Sequence, residues 1–490
     1  MATTRPESLA GLRFAVIGAG MAGILCGIKL RERGCTDFTI YEKASTFGGT
    51  WRENTYPGIA CDVPAHLYSY SFAPNPEFTH RFAAGNEIFD YFGRVAREHG
   101  LDQHFRFNSE ITSCRFEDGR WHIETGDGHR DVVDVVLAAT GVLHHPNLPE
   151  FEGLDRFEGE AFHSARWDHD VDLTGKRLGV IGTGSSAVQI VGATVDQVDH
   201  IDLFQRTAQW IAPIENDPYT EEERQQFRDD PELLRELYAE LRALFTEGFS
   251  DAVIDADSPH LAGIALRCAE HLDTVADPTL RQQLRPDYQA ACKRLVVSAD
   301  FYDAIQAPNA TLVTEGIDRF EAEGIRTVDG ELHPLDVVVI ATGFRVDRFL
   351  RPIHVVGRGG VDLDDVWAER PIAYLSISVP EFPNLFMLNG PNGPVGNFSL
   401  IEIAEKQIDY IFQLVDRIAA GECREVSARA EATAAFDEER IEAAKKTVWF
   451  TGCSSWYLDD RGIPAVWPFS MARFTEEMAS PKPEAYDLIG

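Results

Sequence analysis

The start of the chain alternates short apolar runs with glycines. Phe14–Ile17 is a continuous apolar run that predicts a buried strand, and Phe38–Tyr41 predicts the next strand, which ends at Glu42. The sequence between these runs is helix-forming and opens with three glycines in a Gly-x-Gly-x-x-Gly pattern: Gly18, Gly20 and Gly23. Strand, glycine turn, helix, strand and terminal acid at this spacing are typical of a dinucleotide-binding unit.

The same pattern occurs a second time. Residues 178–181 predict a strand, His200–Phe204 predicts the next one, and Gly182 and Gly184 open the turn between them. A further pair of apolar runs, 134–141 and 336–343, matches position for position, and each ends in Ala-Thr-Gly. The sequence therefore predicts an α/β fold with two Rossmann-like dinucleotide-binding domains of common design.

Sequence of a different kind interrupts the second unit. Residues 219–285 are charged and helix-periodic, and five leucines are spaced for one apolar face: Leu233, Leu234, Leu237, Leu241 and Leu244. We interpret this stretch as a helical insertion. After Pro371 an apolar run at 386–391 and a long helix over 399–419 are expected to return to the first domain.

Composition narrows the possible functions. The 490-residue chain carries 45 basic and 79 acidic side chains, a formal net charge of −34. Such a surface repels phosphate backbones and anionic lipid, so we expect neither a nucleic-acid partner nor a membrane partner. The eight cysteines form no Cys-x-x-Cys pair and no zinc-like cluster, which favours a reducing, cytoplasmic setting over a disulfide framework. No apolar run is long enough to span a bilayer.

The two glycine turns favour different nucleotides. In each turn the glycines let a pyrophosphate approach the N-terminus of a helix, and Ser185 and Ser186 open the second helix. Glu42 favours a free ribose hydroxyl pair, as in FAD or NAD. In the second unit Arg206 stands where the acid would be, which favours the 2′-phosphate of NADPH. The alternatives are a merely structural glycine turn and a solvated surface arginine.

The cysteines also indicate which acceptor could receive the electrons of a reduced flavin. A flavoprotein disulfide reductase would carry two such units, but it needs a redox-active cysteine pair near the first turn. Cys61 is solitary there. Another acceptor must therefore receive the electrons, and oxygen is the obvious candidate.

Two longer stretches carry a resemblance to a known family. Residues 157–168 read Phe-Glu-Gly-Glu-Ala-Phe-His-Ser-Ala-Arg-Trp-Asp, and residues 48–62 contain Thr50 and Trp51 and end in Asp62. These stretches resemble those that identify flavin-dependent monooxygenases of the Baeyer–Villiger type, and the resemblance covers nearly the whole chain. Related flavin monooxygenases that oxidise nitrogen or sulfur usually lack the Trp-Pro/Asp ending, and they remain the alternative enzyme.

The resemblance implies roles for individual residues. Arg294 is implied as the active-site arginine over the flavin, and Asp62 as the acid that holds its guanidinium. Further residues are implied as cofactor contacts: Thr50, Trp51, Asp62 and Tyr68 near the flavin, Arg206, Thr207 and Lys293 at the 2′-phosphate, and Trp456 on a mobile loop over the nicotinamide. Tyr56 and Tyr68 are both candidates to pack on the flavin ring, and filling of an aromatic core is the alternative for both. The run Leu-Asp-Asp-Arg-Gly after Tyr457 departs from the better-known cyclic-ketone members.

The resemblance also implies an activity. It is the conversion of small ketones to esters or lactones, with FAD, NADPH and O2, through a flavin peroxide anion. We predict an FAD-binding domain over 1–145 and 371–490, an NADPH-binding domain over 146–213 and 291–370, and the helical insertion over 214–290. His163 is interpreted as part of a linker rather than as a general base. The alternative without catalysis is a nucleotide-binding redox sensor or interaction protein, and the oligomeric state is left open.

Overall fold

A computed structural model describes residues 8–490 of the chain. Its framework is two five-stranded sheets in which all neighbouring strands run parallel. The central strands, such as Phe14–Ile17 and Val337–Ile340, are apolar and buried along their whole length. Such strands are expected where helices cover both faces of a parallel sheet. The predicted α/β class is confirmed.

The first sheet is assembled from both ends of the chain. Its strands lie in the spatial order Leu385–Met387, Val135–Ala138, Phe14–Ile17, Phe38–Tyr41, Phe105–Arg106. Ile17 lies opposite both Tyr41 and Ala138, so the carboxyl ends of the three central strands meet at one edge. The predicted strands before Gly18 and Glu42 are confirmed residue for residue, and so is the return of the chain to this sheet near residue 386.

The second sheet repeats this arrangement. Its strands lie in the spatial order Ala310–Val313, His200–Phe204, Arg177–Ile181, Val337–Ile340, Glu160–His163. Ile181 lies opposite Phe204 and Ile340, so the second glycine turn also opens at the carboxyl edge of its sheet. Ligands bind at this edge in open parallel sheets.

The remaining strands form smaller sheets. They are His354–Val356, Ile111–Glu117, Arg120–Thr125 and Arg130–Val133 in one sheet, Ile317–Glu321, Gly324–Thr327 and Leu332–Pro334 in a second, and the pairs Ile211–Ala212 with Val296–Val297 and Glu425–Ala428 with Tyr486–Ile489. His354–Val356 runs parallel to Ile111–Glu117. The chain therefore returns to the part of the structure that contains the first sheet by His354, earlier than the predicted residue 371.

Helices surround both sheets. The α-helices are Met21–Glu32, Thr50–Glu53, Gly85–Glu98, Ser185–Thr194, Glu221–Asp229, Pro231–Phe245, Pro259–Leu272, Pro278–Gln283, Phe301–Ile305, Leu363–Val366, Leu400–Ala419, Ala430–Ala444 and Met471–Ala479. A π-helical turn spans Thr246–Ser250, and short 3₁₀ turns span Asp102–His104, Leu154–Arg156, Ser164–Arg166, Arg358–Gly360, Val448–Phe450 and Pro483–Ala485. No helix within residues 8–490 is long and apolar enough to cross a membrane.

The helical insertion lies where the periodicity predicts it, but its buried face differs from the predicted one. Leu244 is 62% exposed, which contradicts a face that includes all five leucines. Leu234 is buried, and Tyr238, Leu241 and Phe245 are partly buried against the core around the first sheet. Their spacing follows the 3.6-residue turn of the helix, with aromatic residues in two of the four positions.

One cysteine pair departs from the expectation of free thiols. Cys292 and Cys453 form a disulfide, and their Cα atoms are 6.2 Å apart. They are separated by 161 residues in sequence, so only the folded chain brings them together. The other six cysteines are free and buried.

Candidate active site

A cavity of about 1280 Å³ is lined by both glycine turns. The predicted site residues that line it are Gly18, Gly20, Glu42, Thr50, Trp51, Asp62, Tyr68, Gly182, Gly184, Ser185, Ser186, Arg206, Thr207, Lys293, Arg294 and Trp456. Gly23 is the one predicted residue outside this lining. A Cβ on Gly23 would lie 1.8 Å from the carbonyl oxygen of Gly18, so this glycine lets the helix pack against the turn.

The first glycine turn is shaped by close backbone contacts. Gly18 has φ +99°, and a Cβ there would lie 2.6 Å from the carbonyl oxygen of Ala139. Gly20 precedes the helix Met21–Glu32, and within the described chain no side chain caps that helix. Its first amide N–H groups therefore point into the cavity edge without a side-chain acceptor, which suits a pyrophosphate.

Glu42 is fixed at the end of its strand. Its carboxylate accepts hydrogen bonds from the backbone N–H of Ala19 at 3.0 Å and of Ala44 at 2.9 Å. Nη1 of Arg52 lies 3.1 Å from Oε1 of Glu42. The carboxylate is 5% exposed, on the cavity wall, in the position that a ribose-binding acid occupies.

Two aromatic residues form another part of the wall. Nε1 of Trp51 donates a hydrogen bond to the Tyr68 hydroxyl at 3.3 Å, and the two rings meet edge to face with centroids 5.7 Å apart. Burial raises the pKa of the Tyr68 hydroxyl, which therefore stays protonated. Thr50 begins the short helix that carries Trp51. The pair can bound a planar ligand on one side.

The second glycine turn repeats the first, with one difference. Gly182 has φ +120°, and a Cβ there would lie 2.4 Å from the carbonyl oxygen of Ala341. Gly184 instead faces open space, with no described atom within 4 Å of a Cβ built on it. It precedes the helix Ser185–Thr194, which no side chain caps within residues 8–490. A second phosphate group can therefore approach this backbone closely.

Two cations lie together beside this turn. Arg206 follows the strand His200–Phe204 and is exposed, and Lys293 lies 4.7 Å from the centre of the Tyr288 ring. Among the described residues neither side chain pairs with a carboxylate, although the chain is strongly acidic. Burial lowers the pKa of Lys293, repulsion by the neighbouring Arg206 charge lowers it further, and the charge of Asp287 partly offsets both effects. Two adjacent cations that form no salt bridge within residues 8–490 are suited to an anion such as a phosphate.

Arg294 is held from several sides. Its Nε and Nη2 both donate to Oδ2 of Asp62, at 3.0 and 2.6 Å, and its Nη1 donates to the carbonyl oxygen of Gly396 at 2.5 Å. The side chains of Arg294 and Asp62 are 28% and 24% exposed. Burial alone would lower the pKa of Arg294, but the charge of Asp62 and the Tyr457 hydroxyl raise it above its ordinary value. Arg294 is therefore a permanent positive charge in a fixed orientation.

Trp456 also lines this cavity, although it is far from both glycine turns in the sequence. Its side chain is 37% exposed, and its ring centroid lies 4.2 Å from that of Tyr457. The segment around it is irregular in structure and carries Ser454 and Ser455 into the cavity wall.

His163 lies outside the cavity lining. Its Nδ1 accepts from the backbone N–H of Ala165 at 3.0 Å, and its Nε2 lies 3.1 Å from the carbonyl oxygen of Gly343. Burial lowers its pKa. The Gly343 carbonyl oxygen also accepts a hydrogen bond from the backbone N–H of Asn147, at 2.8 Å. His163 and Asn147 therefore contact the same carbonyl, and His163 helps to hold these segments together.

Comparison with known proteins places this geometry in a family. A family model described as flavin-binding monooxygenase-like matches residues 11–222. A Baeyer–Villiger monooxygenase of Streptomyces coelicolor is 39% identical over 95% of this chain and 90% of its own length. The chain belongs to the Baeyer–Villiger monooxygenases.

Two other relatives agree with this assignment. An uncharacterised monooxygenase of Mycobacterium tuberculosis is 47% identical over 97% of this chain and 95% of its own length. The crystal structure of cyclohexanone monooxygenase from Rhodococcus sp. Phi1, bound to NADP+, superposes with a TM-score of 0.87 at 28% identity, over 99% of this chain and 100% of that chain. The family that residues 48–62 and 157–168 indicate is therefore confirmed.

The structure shows contacts of Tyr56 that the sequence did not indicate, and it adds Gly396, which no motif singled out. The Tyr56 hydroxyl donates to Oε1 of Gln189 at 3.0 Å and accepts from Oγ of Ser186 at 3.1 Å, which joins the first unit to the second helix N-terminus. Burial raises the pKa of Tyr56 to about 12. Gly396 contributes only its carbonyl, which no side-chain motif can reveal.

Proposed function

We propose that this chain is an FAD- and NADPH-dependent monooxygenase that inserts one oxygen atom of O2 beside the carbonyl group of a small ketone and releases an ester or lactone. The observation that carries the proposal is the Arg294–Asp62 pair, a fixed cation in a cavity that two glycine turns share. An oxygen insertion beside a carbonyl places negative charge on oxygen, and a fixed cation stabilises that charge.

The cavity has features that fit both cofactors. For FAD, the first glycine turn and the uncapped helix after Gly20 suit the pyrophosphate, and Glu42 suits the ribose hydroxyls. For NADPH, Gly184 leaves room for the pyrophosphate, and Arg206 with Lys293 suits the 2′-phosphate. When bound, FAD reduced by NADPH supplies the electrons that activate O2.

In this proposal Arg294 performs the electrostatic part of the reaction. Its guanidinium does not lose its proton to a basic oxygen anion, because its pKa lies far above neutral pH. Asp62 accepts two hydrogen bonds from Arg294 and so keeps the guanidinium plane in one orientation. The preorganised charge therefore favours the developing oxygen anion on the substrate over the neutral ketone.

We extend the proposal to the domains and the compartment. The segments 1–145 and His354 onward would bind FAD, the intervening parts of the second sheet would bind NADPH, and residues 214–290 would be the insertion. The six free buried cysteines favour the cytoplasm as the working compartment. Trp456, which lines the cavity, is proposed to cover the bound nicotinamide.

The test is product analysis with the purified full-length chain. The protein loaded with FAD would be incubated with NADPH, O2 and a panel of linear, cyclic and aryl ketones, and the products separated by gas chromatography. We expect an ester or lactone from at least one ketone, with NADPH consumed in step. Turnover of sulfides or amines with no ester from any ketone would overturn the proposal in favour of nitrogen or sulfur oxidation.

A further inference from the structure

Tyr457 is buried against the segment that carries Arg294. Its side chain is 2% exposed, and its ring packs against Trp456 and Trp449 with centroid distances of 4.2 and 5.6 Å. Its backbone is also held, since the Ala465 N–H donates to its carbonyl at 2.7 Å and its own N–H donates to Oγ of Ser455 at 3.1 Å. A phenol ring fixed in this way presents its hydroxyl in one direction.

The hydroxyl points at the groups that surround the guanidinium. A Cβ on Gly396 would lie 2.2 Å from the Tyr457 hydroxyl oxygen, so this oxygen lies directly over the residue whose carbonyl accepts from Nη1 of Arg294. Gly396 has φ +98°, so both its backbone conformation and the phenol exclude a side chain there. Asp62 occupies the Nε and Nη2 side of the same guanidinium.

Electrostatics agree with this contact. Burial lowers the pKa of Arg294, whereas the charge of Asp62 and the nearby Tyr457 hydroxyl raise it. Burial raises the pKa of Tyr457, and Arg294 only partly offsets that effect, so the phenol remains neutral. A neutral hydroxyl offers an oxygen acceptor to the guanidinium without cancelling its charge.

We propose that Tyr457 is a positioning residue for Arg294, a role that rests on the function proposed above. Asp62 and the Gly396 carbonyl bind two edges of the guanidinium, and the phenol hydroxyl restricts the remaining freedom of the group. Without it Arg294 stays charged and paired with Asp62, but its orientation is less well defined. Misplacement of a preorganised charge lowers the rate of the step that it stabilises.

The variant that tests this is Tyr457→Phe, which keeps the ring and removes only the hydroxyl. Tyr302→Phe is a matched control, because the Tyr302 hydroxyl is buried without a hydrogen-bond partner among the described residues and lies outside the cavity lining. We expect Tyr457→Phe to form about tenfold less ester per NADPH oxidised, the lower end of the range for the loss of a polar contact to a charged group. The Michaelis constant for NADPH should stay unchanged, and Tyr302→Phe should behave as the parent.

A second readout does not depend on turnover. The Nε–Hε resonance of Arg294, assigned with Arg294→Lys in nitrogen-labelled protein, should exchange with solvent at least severalfold faster in Tyr457→Phe than in the parent or in Tyr302→Phe. Unchanged exchange in Tyr457→Phe would overturn the positioning role. Absence of ester from the parent with altered exchange in the variant would instead overturn the proposed function and leave the contact established.

The disulfide carries a separate inference. Cys292 lies two residues before Arg294, and Cys453 lies three residues before Trp456. Both cysteines belong to one buried apolar cluster, which also contains Trp449, Tyr457 and parts of the helical insertion. The bond therefore joins the segment of the active-site cation directly to the segment of the cavity tryptophan. No sheet pairing of residues 8–490 makes that connection.

We infer that the Cys292–Cys453 bond is a redox-sensitive tether of the active site. A dithiol reductant transfers two electrons and two protons to it, so that the S–S bond opens to two thiols while the reductant becomes a disulfide. The apolar cluster remains, but the covalent link between the two segments is lost. The segment with Trp456 and Tyr457 can then move away from Arg294, which lowers the yield of ester per NADPH.

The bond and its effect are tested separately. Alkylation of the unfolded protein, followed by mass spectrometry, should label six cysteines before treatment with dithiothreitol and eight afterwards. In the native protein without added coenzyme, cleavage by trypsin at the exposed Arg461 should be severalfold faster after reduction. Cys453→Ser should be cleaved at the faster rate without reductant, whereas Cys423→Ser, which removes a free buried thiol, should match the parent.

Two results would overturn the tether. Eight labelled cysteines in the untreated protein would mean that the bond does not form. The second result is that reduction changes neither the rate of trypsin cleavage nor the ester formed per NADPH, both measured after the reductant is removed. It would mean that the bond does not restrain the active site.

Discussion

Two nitrogens of Arg294 donate to one oxygen of Asp62, with Nε at 3.0 Å and Nη2 at 2.6 Å from Oδ2. The two residues are 232 positions apart in the sequence, and each lines the cavity. Asp62 follows the first glycine turn, whereas Arg294 follows the helical insertion of the second unit. The pair therefore orients the cation and joins two distant segments of the chain at the cavity that both glycine turns line.

The first prediction concerns Asp62. Asp62→Asn keeps the size of the side chain but removes its charge, so we expect ester formation to fall about tenfold, the lower end of the range for a hydrogen bond to a charged group because the pair is partly exposed. FAD binding should not change. Ester and NADPH would be measured together, with Asp172→Asn, an exposed acid away from the cavity, as control. An ester yield equal to that of the parent would contradict the orienting role.

The second prediction concerns Arg206 and coenzyme choice. Arg206→Ala should lower kcat/KM for NADPH about ten- to a hundredfold, because a charge-assisted contact to phosphate is worth about 1.5–3 kcal/mol. The value for NADH should change little. Arg130→Ala, which removes a 77% exposed arginine elsewhere, is the control. Equal losses with both coenzymes would mean that Arg206 does not contact the 2′-phosphate.

The third prediction concerns pH. Burial and the charge of Arg206 lower the pKa of Lys293 from its ordinary value of 10.5, so its charge is lost at a lower pH than that of a free lysine. The preference for NADPH over NADH should therefore decline as the pH rises from neutral towards 10.5. Lys293→Arg should abolish that decline, since arginine stays charged. A parent preference that is flat over this range would show that Lys293 is not part of the phosphate site.

The fourth prediction concerns Gly184. A Cβ fits here without touching the protein, so Gly184→Ala should fold and bind FAD as the parent does. The methyl group would instead stand where the coenzyme pyrophosphate approaches, so KM for both NADPH and NADH should rise about tenfold, or about 1.4 kcal/mol. Gly11→Ala is the control, because it too meets no neighbour within 4 Å. Unchanged constants would place the pyrophosphate elsewhere.

Much of the fold could be predicted because its signals are local. Phe14–Ile17 and Phe38–Tyr41 are short, largely apolar runs that end at a glycine turn and at Glu42, and each forms the expected strand. His200–Phe204, which follows the second glycine turn, also forms the expected strand. The positive φ values of Gly18 and Gly182 explain why glycine occurs at those positions. Within the helical insertion the leucine pattern was misleading, since Tyr238 and Phe245 are partly buried against the core whereas Leu244 is exposed.

The rest depends on tertiary contacts that leave no local pattern. Gly396 acts through a backbone carbonyl, and Tyr56 acts through a contact with Gln189, 133 positions away. Cys292 and Cys453 have no characteristic spacing, and the expectation of free thiols was wrong for this pair because folding alone makes them neighbours. The approach of Tyr457 to Arg294 depends in the same way on packing of the segment around Trp449.

The most direct test of the account is the ratio of ester formed to NADPH oxidised in Arg294→Ala, with hydrogen peroxide measured in parallel. If Arg294 stabilises the oxygen anions of the insertion step, the variant should bind FAD and oxidise NADPH but release hydrogen peroxide. Its ester formation should fall by a factor of about 10²–10³, the usual cost of losing one preorganised electrostatic group. Ester formation at a rate near that of the parent would contradict the central claim that this cation stabilises the oxygen anions of the insertion step.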